Sequence, residues 1–152
     1  MEQGQPIAQI LVVDDDPDTV SILTRHLRRE GFAPLEAGSG TECLRLVKEH
    51  PVDVILLDLM MPDMDGFEVC RALKEDPATN AIPIIMITAR DDLDARAEGM
   101  RVGVSDFIAK PVFRRQLANR IRAQLDLLAG GRVNSGTLRQ FERLSRNGNE
   151  QK

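Results

Sequence analysis

Short apolar runs that stop at a charged or hydroxyl residue are the feature that most constrains this fold. The clearest run is Val54–Leu57, which stops at Asp58 and is followed by a turn sequence with Pro62 and Gly66. Four consecutive apolar residues without polar alternation are typical of a strand buried on both faces, as in the middle of a parallel sheet. Asp58 is therefore expected at the carboxyl end of a strand, where open parallel sheets bind their ligands.

A second apolar run, Gln9–Val13, leads into Asp14, Asp15 and Asp16. Asp16 precedes Pro17 and is the predicted N-cap of a helix. If the two strands are parallel neighbours, their carboxylates meet at one edge of the sheet, and like charges raise one another's pKa unless a cation neutralises them. Mg²⁺ binds a few carboxylates together with water and phosphate oxygens. The cluster therefore predicts a Mg²⁺ site that receives a phosphoryl group.

Apolar runs and helical periodicities alternate along the chain, separated by glycine, proline and N-cap residues. The pattern predicts five strands and five helices, which is an α/β fold of (βα)5 order. In such a fold a parallel five-stranded sheet lies between two helical layers, giving a doubly wound, flavodoxin-like α/β/α arrangement. The predicted strands cover residues 9–13, 33–37, 53–57, 82–88 and 106–109.

The fifth predicted helix, from about Phe113 to Leu128, should end at Gly130-Gly131. This boundary divides the chain into a leader (1–8), one domain (9–129) and a polar tail (130–152) that is a flexible segment or a truncated linker. Residues 1–129 carry 22 acidic and 15 basic groups (−7), whereas residues 130–152 carry 2 and 5 (+3). An acidic domain argues against direct binding to nucleic acid.

Composition places the chain among soluble globular proteins. No apolar run approaches the roughly 20 residues of a membrane span, and the amino terminus lacks a signal pattern. Cys43 and Cys70 lie in helical patterns at no metal-ligand spacing, so we expect buried thiols in a reducing compartment. We therefore expect a cytoplasmic protein without membrane contact.

Two further predicted strands end at polar side chains, Thr88 and Lys110. Taken singly, each is better explained as a capping hydroxyl or a solvated surface charge. Together with the carboxylates they supply the fixed charge and hydrogen-bond donors that phosphoryl transfer requires. A carboxylate can itself be the nucleophile and form an acyl phosphate.

Four segments in this order and spacing resemble the receiver domain of two-component response regulators: ILVVDDD (10–16), VILLDLMMPDMDG (54–66), IMITA (85–89) and DFIAKP (106–111). The resemblance covers residues 8–129. It implies a signalling phosphoprotein of a phosphorelay, not an enzyme, that accepts a phosphoryl group on Asp58. The donor would be a phosphohistidine on a sensor histidine kinase or a histidine phosphotransfer protein, and the domain would switch conformation to control a partner or effector.

The same resemblance implies a metal-binding role for the acidic cluster. Asp15 and Asp58 would bind Mg²⁺ together with the backbone carbonyl of Met60, and Asp14 would act through a water molecule. It also implies how long the phosphorylated state lasts, because residues at the positions of Met60 and Arg90 gate the attacking water in that family. A bulky Met60 and a long Arg90 should shield the acyl phosphate, so self-dephosphorylation is expected to be slow.

The resemblance further implies a switch. Lys110 would pair with Asp58 and later with a phosphate oxygen, and Thr88 would move to hydrogen-bond the phosphate. Phe107 would rotate inward to fill the space that Thr88 leaves. A cis peptide bond between Lys110 and Pro111 is also expected, and proline makes it permissible.

The fourth predicted helix has a thin apolar stripe of Leu93, Ala97 and Met100, so we expect it to be the least firmly packed helix. With the fifth strand and fifth helix it forms the predicted face for a phosphorylation-dependent homodimer or for partner docking. The charges of this face are Asp91, Asp92 and Asp94 on one element and Arg114, Arg115, Arg120 and Arg122 on another.

Three other functions are compatible with parts of the pattern. An aspartate-nucleophile phosphohydrolase would use Asp14, but such enzymes usually need cap elements for which this chain has no room. A docking module that is never phosphorylated would not need Asp15, Asp58, Thr88 and Lys110 together. A flavodoxin-like cofactor binder would need a phosphate-binding loop after the first strand and an aromatic ring to stack on the flavin, yet Trp and Tyr are absent.

Overall fold

The computed structural model describes residues 7–90 and 92–135, the last six of them by their backbone alone. Along these residues, strands and helices alternate as predicted. The strands are β1 (Gln9–Val13), β2 (Ala33–Ala37), β3 (Val54–Leu57), β4 (Ile84–Thr88) and β5 (Asp106–Ala109). The helices are α1 (Pro17–Arg29), α2 (Gly40–Glu49), α3 (Gly66–Glu75), α4 (Leu93–Val102) and α5 (Arg114–Ser135).

The five strands form one parallel sheet in the order β2-β1-β3-β4-β5. The predicted fold class is therefore confirmed. β1 and β3 are direct neighbours, with Val13 opposite Leu57, so the acidic residues that follow them leave the sheet side by side. β2, which contains Pro34, lies at an edge, where a residue without an N–H group is tolerated.

The apolar runs form the centre of the core. Every residue of β3 and β4 is buried, as is every residue of β1 after Gln9. α1 and α3 pack large side chains against the sheet, among them Leu23, Leu27, Phe67 and Leu73. Because each of these strands is covered by apolar side chains, the polar residues at its carboxyl end are held on a rigid base.

Several acids outside the cluster begin helices. Asp16 is the N-cap of α1 and accepts a hydrogen bond from the backbone N–H of Asp18, as predicted. Asp65 forms a capping box at the start of α3, in which its carboxylate accepts from the Glu68 N–H and Glu68 accepts from the Asp65 N–H. Their carboxylates are therefore engaged in starting helices.

The apolar stripe of α4 does not face the core, and the helix buries few side chains. Leu93 and Met100 are 85% and 77% exposed, and Ala97 is exposed as well. The helix instead turns Ala95 and Gly99 into the core. These two small residues recur at helical spacing like the larger stripe, and they let the helix lie closer to the sheet than leucine and methionine would allow.

The ends of two elements also differ from the prediction. β4 begins at Ile84, not at residue 82, and α5 continues through Gly130-Gly131 to Ser135. Glycine costs only about 1 kcal/mol relative to alanine inside a helix, so a glycine pair weakens a helix without having to end it. The contacts of the chain divide it after Ala118, and the unit up to that residue holds the sheet, α1–α4 and the start of α5.

Parts of the predicted domain organisation lie outside the described residues, namely 1–6 of the leader and 136–152 of the tail, as does Asp91. The boundaries at residues 8 and 129 stay predictions. In the part of the chain that the structure describes, no helix combines the length and the apolar character that a bilayer crossing requires.

Candidate functional site

The carboxylates of Asp14, Asp15 and Asp58 converge at the carboxyl edge of the sheet, as predicted. The Asp58 N–H donates to the Val13 carbonyl (2.9 Å), and the Asp14 N–H donates to the Ala37 carbonyl (3.1 Å). These bonds extend the strand pairing by one residue, so the backbones of both acids are fixed by the sheet. Asp14 is 3% and Asp58 6% exposed, whereas Asp15 is exposed at the rim.

This cluster fits a hard divalent cation. One carboxylate oxygen from each of the three acids lies within 4.8 Å of the others. Mg²⁺ takes oxygen ligands at about 2.1 Å in an octahedron, so opposite ligands are about 4.2 Å apart. Asp14, Asp15 and Asp58 are thus close enough to share one ion with only small side-chain movements. Met60, whose carbonyl was predicted as a further ligand, follows two residues after Asp58, and its N–H donates to Asp58 Oδ1 (3.4 Å).

Lys110 brings a positive charge to the same cluster. Its Nζ atom lies 3.2 Å from Asp14 Oδ2 and 3.7 Å from Asp58 Oδ1. Lys110 follows β5, which is separated from β3 by β4, so the long side chain spans the end of the intervening strand. The backbone N–H of Lys110 donates to the Thr88 carbonyl (3.0 Å), and the Lys110–Pro111 peptide bond is cis, as expected.

The electrostatics of Asp58 reflect a buried acid among other acids. Burial raises the pKa of the Asp58 carboxyl to about 6, and the neighbouring Asp14 contributes in the same direction. The Lys110 ammonium and the hydrogen bond from the Met60 N–H oppose this rise in pKa. The ionised Asp58 is therefore poorly stabilised by the protein alone, which is the condition in which a bound cation is strongly favoured.

The predicted switch residues flank this cluster. Thr88, the last residue of β4, is fully buried, and its hydroxyl accepts a hydrogen bond from the Arg90 N–H (3.0 Å). Phe107 in β5 is 5% exposed, and its ring lies against Gly99 of α4. Both side chains are thus inside the molecule, Thr88 next to the acceptor strand and Phe107 one strand further.

Met60 and Arg90, the predicted shields, border one open hollow at the loop that follows Asp58. Met60 is 60% exposed, and Arg90 pairs with Asp92 through its Nε atom (3.1 Å). The hollow is also lined by Leu59, Met61, Asp65 and Phe67. Both predicted shields therefore line the same hollow, and neither is held in the core.

Sequence reasoning missed one residue at this site. An ideal Cβ at Gly66 would lie 2.7 Å from the Asp58 carbonyl oxygen and 2.9 Å from the Leu59 Cα atom. Only glycine lets α3 begin this close to the backbone of the acceptor. The turn sequence before Gly66 indicated a glycine conformation, but the tight contact with Asp58 depends on tertiary packing.

Asp14 is less suited than Asp58 to act as a nucleophile. Its Oδ1 atom accepts from the Asp16 N–H (2.9 Å), and its Oδ2 atom accepts from Lys110 Nζ (3.2 Å). Both carboxylate oxygens are therefore engaged in the described structure. This geometry disfavours the phosphohydrolase alternative, in which Asp14 would attack phosphorus.

Comparison with known proteins gives a consistent result. The model of the response regulator receiver domain matches residues 10–122. The chain is 43% identical to the DNA-binding response regulator MtrA of Mycolicibacterium smegmatis over 117 residues, which are 77% of this chain and 50% of MtrA. It is 44% identical to the response regulator PleD of Caulobacter vibrioides over 116 residues, 76% of this chain and 26% of PleD. The chain thus spans half or less of these relatives.

Solved structures give the same picture. The chemotaxis protein CheY4 of Vibrio cholerae superposes with a TM-score of 0.75 at 28% identity, covering 78% of this chain and 98% of that protein. A putative response regulator from Chloroflexus aurantiacus superposes with a TM-score of 0.76 at 32% identity, covering 79% and 98%.

Proposed function

Because the chain belongs to the response regulator receiver domain family, we propose that it accepts a phosphoryl group on Asp58 and signals by the change that follows. One observation carries this assignment of the acceptor. Asp58 lies between an ammonium group, Lys110 Nζ at 3.7 Å, and the carboxylates of Asp14 and Asp15. Asp14 has the same neighbours, but its Oδ1 and Oδ2 atoms already accept hydrogen bonds from the Asp16 N–H and from Lys110 Nζ.

The proposed reaction is a direct displacement at phosphorus. A carboxylate oxygen of Asp58 attacks the phosphoryl group of a phosphohistidine, the new O–P bond forms, and the P–N bond to the imidazole breaks. The imidazole leaves with the electron pair of that bond, and Asp58 becomes an acyl phosphate. Lys110 is placed to stay with the phosphoryl oxygens, since its ammonium already lies between Asp14 and Asp58.

Asp15 and Asp58 would hold Mg²⁺, with the Met60 carbonyl as a third ligand and Asp14 acting through water. When bound, this ion supplies positive charge that offsets repulsion between the acceptor and the incoming phosphoryl group. The three carboxylates within 4.8 Å of one another support this set of ligands.

The proposed response involves Thr88 and Phe107. The Thr88 hydroxyl would turn from the Arg90 N–H to the phosphate, and the buried position of Phe107 would belong to the phosphorylated arrangement. We also propose that the acyl phosphate hydrolyses slowly, because a bulky Met60 and a long Arg90, which line one hollow at the loop after Asp58, would hinder the approach of water. Self-dephosphorylation is then the domain's own reaction, and the domain acts as a signalling protein with no substrate of its own.

The partners that fit this function are a sensor histidine kinase or a histidine phosphotransfer protein. We propose that the domain works in the cytoplasm, where its two buried free thiols would stay reduced. We propose no direct nucleic-acid contact for this domain, because residues 1–129 are acidic. A longer protein could carry an effector, as the DNA-binding regulator MtrA is about twice the length of the matched segment.

A phosphorylation-dependent homodimer through α4, β5 and the start of α5 is a further part of the proposal. The outward stripe of Leu93, Ala97 and Met100 gives this face an apolar centre. Arg114 contributes less than the sequence suggested, because it pairs with Glu30 of α1 (3.0 Å). Sedimentation with and without beryllofluoride tests the dimer, and an unchanged mass would remove it.

The acceptor assignment is tested by incubating the protein with acetyl phosphate and Mg²⁺ and locating the label by mass spectrometry. We expect one acyl phosphate, on Asp58, that persists for minutes at room temperature. Asp58→Asn should abolish it, whereas Asp63→Asn, an exposed acid of the same loop, should not. Label on Asp14 would support the phosphohydrolase alternative, and loss of label within seconds would contradict the proposed shielding.

A further inference from the structure

Two residues of α4 enclose the ring of Phe107. Gly99 lies against the ring at its Cε1 and Cζ atoms, and the guanidinium carbon of Arg96 lies 5.3 Å from the ring centroid. Phe107 belongs to β5, an edge strand of the sheet, yet it is only 5% exposed. Burial of an aromatic ring at an edge strand requires a cover, and here α4 provides it.

Gly99 provides the space for this ring. An ideal Cβ at position 99 would lie 2.6 Å from the Cζ atom of Phe107 and closer still to Cε1. A side chain at 99 and the ring in its described position therefore exclude each other. The glycine is otherwise unfavourable, since glycine inside a helix costs about 1 kcal/mol relative to alanine. Its cost is offset by the close approach of α4 to β5.

Arg96 lies over the face of the ring, with its guanidinium carbon 5.3 Å from the centroid. A guanidinium within about 6 Å of an aromatic centroid is attracted by the negative face of the ring. The two α4 residues are three positions apart, so they project from neighbouring parts of the helix. Outward rotation of Phe107 would therefore require Arg96 to move away from the ring, or α4 to shift as a whole.

The enclosed ring is connected to the acceptor site through the sheet. Phe107 pairs with Met86 of β4, and two residues later Ala109 pairs with Thr88. Lys110 follows directly, with its Nζ atom at the acidic cluster. A change in the position of Phe107 thus occurs on the same strand that delivers Lys110.

We propose that Arg96 and Gly99 of α4 form a latch that favours the buried position of Phe107 before Asp58 is phosphorylated. This proposal rests on the proposed function in one respect, namely that the buried position of the Phe107 ring belongs to the phosphorylated arrangement. The latch then biases the resting domain toward that arrangement, and it lowers the conformational cost of accepting the phosphoryl group. Arg96 is a positioning residue in this scheme, since it acts on Asp58 only through Phe107.

The latch is tested first in the unphosphorylated protein. Uniform ¹³C labelling of phenylalanine gives five ring systems, and Phe107→Leu assigns the one of interest. A soluble paramagnetic agent then reports the exposure of each ring. We expect Arg96→Ala to increase the relaxation of the Phe107 ring at least twofold. The control Arg101→Ala, on the same helix but paired with Glu98, should leave it unchanged.

Two more variants separate charge from bulk. Arg96→Lys keeps a cation and should restore much of the ring protection, whereas Gly99→Ala should expose the ring although Arg96 is retained. Circular dichroism checks that each variant is folded. A Phe107 ring that stays as protected in Arg96→Ala and in folded Gly99→Ala as in the wild type would overturn the latch.

The link to Asp58 is tested separately with beryllofluoride and Mg²⁺. We expect Arg96→Ala to weaken beryllofluoride binding about two- to fivefold, the range that a partly exposed cation–π contact supplies, with Arg101→Ala unchanged. Equal affinities for Arg96→Ala and the wild type would overturn the bias toward the phosphorylated arrangement. Failure of the wild type to bind beryllofluoride would instead count against the proposed function, and the relaxation experiment would still decide the latch.

Discussion

Two successive βα units of the sheet, β3–α3 and β4–α4, deliver neighbouring site residues but are built differently. β3 is followed by Asp58, the proposed acceptor, and α3 then packs Phe67, Val69, Cys70 and Leu73 into the core. β4 ends at Thr88, and α4 then buries only Ala95 and Gly99. The start of α3 is fixed by a capping box, and that of α4 by a single N-cap, Asp92.

The difference indicates that α3 and α4 have different roles. An acceptor must hold its carboxylate in place for an in-line attack, and α3 holds the loop after Asp58 through large buried side chains. A helix that reports the state of the site must be able to move, and α4 is held mainly by the Phe107 ring and an ion pair to α3. The following predictions test this difference between α3 and α4.

The largest contrast is expected in thiol reactivity. Burial raises the pKa of both Cys43 and Cys70 to about 12. A thiol with that pKa has about a thousandfold less thiolate than an ordinary exposed cysteine, and the core also excludes the reagent. We expect the wild type to react with Ellman's reagent at least ~1000-fold more slowly than the single new thiol of Met100→Cys in α4. Met100→Ser is the control, and rapid labelling of the wild type at Cys70, located by mass spectrometry, would show that α3 opens readily.

The next contrast is in packing energy. Leu73→Ala in α3 removes a side chain that is 1% exposed, and it should lower the free energy of unfolding by about 2–5 kcal/mol. Leu93→Ala, the same substitution in α4 at a residue that is 85% exposed, should change it by less than about 0.5 kcal/mol. Urea unfolding measures both. A large loss of unfolding free energy for Leu93→Ala would mean that α4 packs through its outward stripe, which would contradict the difference between the two helices.

The acceptor itself should cost stability. The pKa of Asp58 in the folded state is about 6, which is above the value of an exposed aspartate. The folded protein is therefore not destabilised by Asp58 below about pH 4, where the carboxyl is protonated in both states, and it loses stability as the pH rises through 6. In the presence of EDTA at pH 7 we expect Asp58→Asn to be more stable than the wild type by about 1–3 kcal/mol. The difference should shrink toward zero at pH 4, and Asp63→Asn should show no such trend. A difference independent of pH would contradict the assignment to the buried charge.

The sequence predicted the sheet and its acidic edge for a physical reason. Uninterrupted apolar runs such as Val54–Leu57 specify buried parallel strands, and a residue directly after a strand can only lie at its end. Asp14, Asp15, Asp58 and Lys110 could therefore be brought together from strand ends alone. Their proximity needs no information on how the helices pack.

The orientation of α4 could not be predicted in the same way. Its sequence contains two stripes at helical spacing, one of Leu93, Ala97 and Met100 and one of small residues, and hydrophobicity favours the larger stripe for the core. The choice is made by Phe107, a residue of another strand, whose ring occupies the space over Gly99. The contact between Gly66 and the Asp58 carbonyl could not be predicted for the same reason. Like the contact between Gly99 and Phe107, it forms only when the chain is folded.

The smallest effect concerns the ion pair between the two helices. Glu98 of α4 accepts from Arg71 of α3 (2.7 Å) and from Arg101 (2.7 Å), and its side chain is 26% exposed. Partly exposed pairs are screened by water and salt, so a double-mutant cycle of Glu98→Gln and Arg71→Gln should give a coupling energy below about 1 kcal/mol that falls with added salt. A coupling well above this value, unaffected by salt, would mean that α4 is fixed to α3 as firmly as α3 is fixed to the sheet. The two units would then move together, and the response to Asp58 would have to leave the domain through another element.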